Sequence, residues 1–166
     1  MTTGTVYGVG VGPGDPELMT MKAVRLISAA RVVAFFAKRG KNGNAFATAE
    51  SFIDRAAEQL PLCYPFTVEL SPRDPEYIAA MRRFYDESAR VIGERLEAGH
   101  DVVVLCEGDP LFYGSYMYLH DRLHERYRCS VVPGITSFAG CAASAGIPLV
   151  STDHTFSVIP ATLSER

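Results

Sequence analysis

Five short runs, at 6–11, 31–36, 62–66, 101–106 and 129–132, are β-branched or aromatic almost without interruption instead of alternating with polar residues. Strands of that kind have both faces buried, as in a parallel sheet covered on both sides, whereas a sheet with one wet face needs alternation. Helical patterns lie between most of the runs. Thr20 caps a helix reaching Ala30. Asp74 followed by Pro75 is a cap with proline at the first helical position. From there Ile78, Met81, Tyr85, Ala89, Ile92 and Leu96 recur at three- and four-residue steps as one apolar stripe, and Gly99 ends the helix. A last helix is capped by Thr136 or Ser137, runs from Phe138 to Ala145, and is stopped by Gly146, with Pro148 barring resumption. Alternating strand and helix predicts an α/β domain: a mainly parallel open sheet of about five strands, flanked by helices.

Three of these strands empty into loops of glycine and proline. The first reads Gly8-Val9-Gly10-Val11-Gly12-Pro13-Gly14-Asp15-Pro16, the second Glu107-Gly108-Asp109-Pro110 and the third Pro133-Gly134-Ile135-Thr136. In an open α/β sheet the carboxyl ends of the strands form the ligand crevice, and glycine lets backbone come close to whatever binds there. A dinucleotide fingerprint requires glycines at i, i+2 and i+5. Counting from Gly8 the third position is Pro13, and from Gly10 it is Asp15, so both registers fail. The chain has no Gly-Lys-Ser or Gly-Lys-Thr for a phosphate loop. Pro13 and Pro16 also lack the N–H groups that a phosphate cradle uses. The first loop therefore reads as a rigid wall against a ligand.

Composition narrows the partners. A length of 166 residues suits one domain, and 48% hydrophobic with 21% charged residues is ordinary globular material. A net charge of -3 gives no basic field for nucleic acid, so an acidic ligand needs a local basic cluster. Cys63, Cys106, Cys129 and Cys141 contain no C-x-x-C pair, and the first three sit in apolar runs, so they read as reduced core thiols. No apolar stretch is long enough to span a membrane, and a cytoplasmic location is expected.

Taken together, the three loops resemble those of the tetrapyrrole methylase family, the S-adenosylmethionine-dependent enzymes that methylate corrin and sirohaem precursors. The resemblance runs from Thr5 to about Pro160. Within the family, the stretch from Ala34 through Lys38-Arg39-Gly40-Lys41-Asn42-Gly43-Asn44 to Ala45, and the wording Glu107 to Ser115, are similar to the members that methylate precorrin-2 at C-20 in cobalamin biosynthesis. The uroporphyrinogen methylases place an aspartate near position 36, where this chain has Phe36, so that acid–base assignment does not transfer. A sibling methylase acting on another corrin or sirohaem precursor is the alternative, as is a non-catalytic domain that self-associates.

The resemblance implies a homodimer of two-domain chains with S-adenosylmethionine in the cleft between domains. It implies that Pro13, Glu107, Gly108, Asp109, Phe112, Thr136 and Ser137 hold the cofactor, with no metal and no covalent nucleophile. The tetrapyrrole substrate, expected to be precorrin-2, is fringed with carboxylates. Lys38, Arg39 and Lys41 are either its binding cluster or a solvated loop, and Tyr113 is a further substrate candidate, while core packing is the expectation for Tyr113 and Tyr116 alike. His120 and His124 have the spacing of a helical metal pair, yet Asp121, Arg122, Glu125 and Arg126 around them favour a solvated face. Glu50, Asp54 and Glu58 read as one charged helix side. Residues 155–160 look like the first strand of a second domain, which divides the chain into an N-terminal domain, 1–150, and a linker with that strand, 151–166.

Overall fold

The computed structural model describes residues 3–66 and 70–160. Five parallel strands, β1 (Thr5–Gly10), β2 (Val32–Ala37), β3 (Glu58–Cys63), β4 (Val102–Cys106) and β5 (Arg128–Val132), form one sheet in the order β3-β2-β4-β1-β5. The helices are α1 (Met21–Ala29), α2 (Asn44–Ala49), α3 (Pro75–Glu97), α4 (Tyr116–Leu123) and α5 (Ser137–Ala145). Successive strands move one way across the sheet from β1 to β3 and the other way from β3 to β5. Right-handed crossovers then place α1 and α2 on one face and α3 and α4 on the other.

The two cores show this division residue by residue. Val6, Val102, Val104 and Cys106 pack against Tyr85, Ala89, Ile92 and Leu96 of α3 and Tyr116, Leu119 and Leu123 of α4. Val9, Val33, Phe35, Val103 and Leu105 face Ala23 and Ile27 of α1 and Ala45, Phe46 and Ala49 of α2. Neighbouring residues of β1 and β4 thus go to opposite faces, and all five residues of β4 are buried. That is why the runs show no polar alternation. Gly8 lies under Tyr116, where a Cβ would come within 2.5 Å of the ring. Tyr116 is fully buried, as core packing requires.

The caps form as the sequence implies. Ala23 N–H donates to Thr20 Oγ1 at 3.1 Å and Glu76 N–H to Asp74 Oδ1 at 2.8 Å. Gly99 (φ 83°) and Gly146 (φ 65°) follow α3 and α5 in the left-handed region. Along α3 the stripe is buried from Tyr85 to Leu96, while Ile78 in the first turn stays 48% exposed.

Four expectations need correction. β3 begins at Glu58 and ends at Cys63, earlier than the 62–66 run. It is an edge strand, where Pro61 and exposed polar residues are tolerated, so its apolar signal is displaced. Glu50, Asp54 and Glu58 do not share a helix. Helical structure ends at Phe52, Asp54 Oδ1 accepts from Ala56 N–H at 2.8 Å in a local turn, and Glu58 pairs with Arg95 at 2.8 Å. Cys63 on the edge strand and Cys141 on α5 are exposed, so only Cys106 is a buried core thiol. Residues 155–160 join no ladder among the described residues, so the strand expected there is not formed within this chain.

Candidate active site

Both neighbours of β4 in the sheet, β2 and β1, lead toward the α1/α2 face, while β4 leads into α4 on the opposite face. The loops must part on either side of β4, and a crevice opens at its carboxyl end. The cleft there has a volume of about 680 Å³ and takes its lining from the segments after all five strands.

The half of the cleft beyond β1 and β5 is built by close backbone contact. Gly108 N–H donates to Gly12 O at 2.8 Å, and Val11 N–H donates to Cys106 O at 2.9 Å. A Cβ on Gly10 would lie 2.6 Å from Gly108 O, and one on Gly134 would overlap the same oxygen. Asp109 locks the arrangement. Its Oδ1 accepts from Leu111 N–H at 2.9 Å and its Oδ2 from Gly134 N–H at 3.0 Å, which ties the loop after β4 to the loop after β5. A Cβ on Gly140 of α5 would lie 2.7 Å from Pro13 Cγ, so the proline ring is seated directly on the helix. Thr136 occupies the N-cap position of α5, yet its side chain makes no capping bond, and with Ser137 it lines the cleft. Tyr113 holds a left-handed φ of 51° at the rim, and its ring meets Phe112 edge-on at 5.0 Å. Such backbone strain in a side-chain-bearing residue is concentrated at ligand sites.

The half beyond β2 and β3 differs in character. Lys38, Lys41 and Asn44 follow β2, and Tyr64 follows β3. Asn44 Nδ2 donates to Glu107 Oε2 at 3.2 Å. Phe36 stacks on Tyr64 with centroids 5.6 Å apart, and Phe84 closes the cluster at 5.1 Å from Tyr64. The Tyr64 hydroxyl lies 2.6 Å from Ser115 Oγ, and the Tyr85 hydroxyl donates to the same atom at 3.1 Å. Burial pushes the Tyr64 phenol up to about 12 and that of Tyr85 higher still, because an unsolvated phenolate is costly. Burial likewise raises the Cys106 thiol, which makes it a poor nucleophile.

All seven residues expected around the cofactor, Pro13, Glu107, Gly108, Asp109, Phe112, Thr136 and Ser137, line this one cleft. Lys38 and Tyr113 line it too, whereas Arg39 does not and Lys41 does. Sequence reasoning missed Tyr64, Ser115, Tyr85 and Asn44. Tyr64 and Tyr85 lie 51 and 30 residues from Ser115, so no local pattern could have joined them. His120 and His124 stack with centroids 5.1 Å apart, and no group of three metal-ligating residues occurs among the described residues. No helix of the described residues is long and apolar enough to cross a membrane.

Residues 5–166 match the model of the tetrapyrrole (corrin/porphyrin) methylases. The chain belongs to that family. It is 49% identical over 162 residues to the precorrin-2 C(20)-methyltransferase of a Sinorhizobium species, covering 98% of this chain and 66% of the relative. It is 43% identical over 160 residues to the cobalamin biosynthesis protein CobIJ of Mycobacterium bovis, covering 96% of this chain and 32% of that protein. Among solved structures, a cobalt precorrin-4 methyltransferase of cobalamin biosynthesis superposes with a TM-score of 0.66 at 28% identity, over 93% of this chain and 56% of the other. The chain thus spans less than two thirds of the curated relatives it matches.

The donor set of the cleft is consistent with the S-adenosylmethionine that the resemblance implies. The uncapped Thr136 hydroxyl, Ser137 and the Glu107 carboxylate can meet an adenosine and an amino-acid group, and glycine backbone admits them closely. A sulfonium needs no anionic partner or metal there, only close walls and oxygen atoms.

Proposed function

We propose that this chain forms the floor of an S-adenosylmethionine-dependent C-methyltransferase that converts precorrin-2 to precorrin-3A by methylating C-20. The observation that carries the reading is the two-sided cleft at β4. One half is a Gly-Pro wall with free hydroxyls, and the other offers Lys38 and Lys41 beside an aromatic floor, in a chain 49% identical to a precorrin-2 C(20)-methyltransferase.

The cofactor, when bound, supplies an electrophilic methyl on its sulfonium sulfur. The substrate's meso carbon is enamine-like and already nucleophilic. Pro13, Gly108 and the Asp109-locked loop hold one reactant rigidly, which removes reorganisation from the reacting geometry. Lys38 and Lys41 engage carboxylates of the other. Asp109 is held by two backbone donors, which leaves Glu107 as the lining carboxylate free of backbone bonds among the described residues.

Residues 1–150 are the N-terminal domain in this reading, and 151–166 lead into a second one. Ile147, Leu149, Val150, Phe156, Val158 and Ile159 are all exposed, an apolar face suited to cover by further protein. A cytoplasmic homodimer completes the reading. The test is turnover of precorrin-2 by the intact protein with methyl-labelled S-adenosylmethionine. One label at C-20 supports the assignment; label on a neighbouring corrin intermediate instead points to a sibling methylase.

A further inference from the structure

Ser115 occupies the N-cap of α4, a position where serine ordinarily accepts a bond from the helix's own N–H groups, yet it makes no such bond. Its hydroxyl is turned to two phenols instead. Tyr85 is 6% exposed and donates to Ser115 Oγ at 3.1 Å, while Tyr64 stands 2.6 Å from the same oxygen. Three hydroxyls hold three protons, and two contacts use two of them. One proton is left over. A phenol is a better donor than an aliphatic alcohol and a poorer acceptor, because its lone pair is delocalised into the ring. Both tyrosines therefore donate, both Ser115 lone pairs are occupied, and the remaining proton belongs to Ser115. Two donors on one oxygen also polarise its O–H bond and strengthen it as a donor.

Ser115 and Tyr64 both line the cleft, and Tyr64, which follows β3 and holds Ser115 at 2.6 Å, stands on the β2/β3 side with Lys38 and Lys41. We propose that the Ser115 hydroxyl, oriented by Tyr64 and Tyr85, donates a hydrogen bond to a carboxylate oxygen of the tetrapyrrole substrate and not to the cofactor. This rests on the methyltransferase reading above. It makes Ser115 a substrate-binding residue and the two tyrosines positioning residues, with hydroxyls that stay protonated through the neutral range.

The test uses the intact protein and two probes. Uroporphyrin III, a stable tetrapyrrole carboxylate, is titrated by fluorescence, and S-adenosylhomocysteine by calorimetry. Ser115→Ala should weaken uroporphyrin III binding about tenfold, the effect of losing roughly one charge-assisted hydrogen bond, and leave S-adenosylhomocysteine within about twofold. Ser115→Thr keeps a hydroxyl and should restore most of the affinity. Tyr64→Phe and Tyr85→Phe remove an orienting donor but leave the serine proton, so each should cost about threefold or less. In turnover of precorrin-2, Ser115→Ala should raise KM with kcat little changed. Unchanged uroporphyrin III binding in Ser115→Ala would overturn the proposal, as would equal loss of both ligands. Should Ser115→Ala fail to fold, the proposal falls if Ser115→Thr loses uroporphyrin III affinity tenfold with an unchanged melting temperature. Absence of precorrin-2 turnover by the wild type would refute the assigned reaction alone, because the binding arms do not depend on it.

Discussion

Replacing Asp109 with asparagine separates two roles for a residue that lines the cleft. Its two carboxylate oxygens accept from Leu111 N–H at 2.9 Å and Gly134 N–H at 3.0 Å, so the side chain is already engaged before any ligand arrives. Asparagine keeps one acceptor and turns an NH₂ toward the other backbone N–H. A hydrogen bond to a charged group contributes about 1.5–3 kcal/mol, and the half-exposed setting of Asp109 argues for the lower end. A loss of about 2 kcal/mol corresponds to a fall in Tm of roughly 4–8 °C for a protein of this size or somewhat larger. Ligand affinity should fall as well, because the loop bearing Thr136 and Ser137 is no longer tied to β4. Thermal unfolding followed by circular dichroism without ligand, beside calorimetric titration of S-adenosylhomocysteine, reads both quantities. An unchanged Tm with a large loss of affinity would refute the reasoning and place the carboxylate on the ligand.

Other perturbations test the remaining parts of the site. Gly134→Ala puts a Cβ onto the Gly108 carbonyl and 2.9 Å from Gly10 Cα, all backbone, so it should cost several kcal/mol, about 3 or more, and abolish cofactor binding in any protein that still folds. A Lys38→Ala/Lys41→Ala double variant should weaken uroporphyrin III binding about three- to tenfold, with a shallower salt dependence and unchanged S-adenosylhomocysteine affinity. Stability should decline at high pH. The Tyr64 phenol is raised from 10 to about 12 in the folded protein, so its contribution is intact below pH 10 and is lost as pH rises toward 12. The urea midpoint, measured across that window, should fall less steeply in Tyr64→Phe.

Elements whose signals are local matched their sequence patterns. Thr20, Asp74, Gly99 and Gly146 bound helices through contacts within a few residues, and each was legible by type and position. The runs of β1, β2 and β4 were legible because burial on both faces leaves little polar alternation, and β5, at the other edge and only partly buried, was legible from its short apolar run. β3 was misplaced because an edge strand tolerates Glu58, Gln59 and Pro61, and Glu58 read as part of a charged helix side. α2 was missed because its six residues are too few to show a period. In the site, the Gly-Pro loops were legible because each is contiguous, whereas the tie from Asp109 to Gly134 N–H spans 25 residues and was not.

The sequence by itself determined the α/β alternation, the three Gly-Pro loops and the family, since strand composition, capping and loop wording reside in contiguous residues. Tertiary structure alone decided which loops meet. The order β3-β2-β4-β1-β5 puts the segments after β2 and β3 on one side of β4 and those after β1 and β5 on the other. That placement brings Tyr64 and Tyr85 to Ser115, and Asp109 to Gly134. Such contacts depend on the packing of helices against a whole sheet, and no spacing along the chain encodes them.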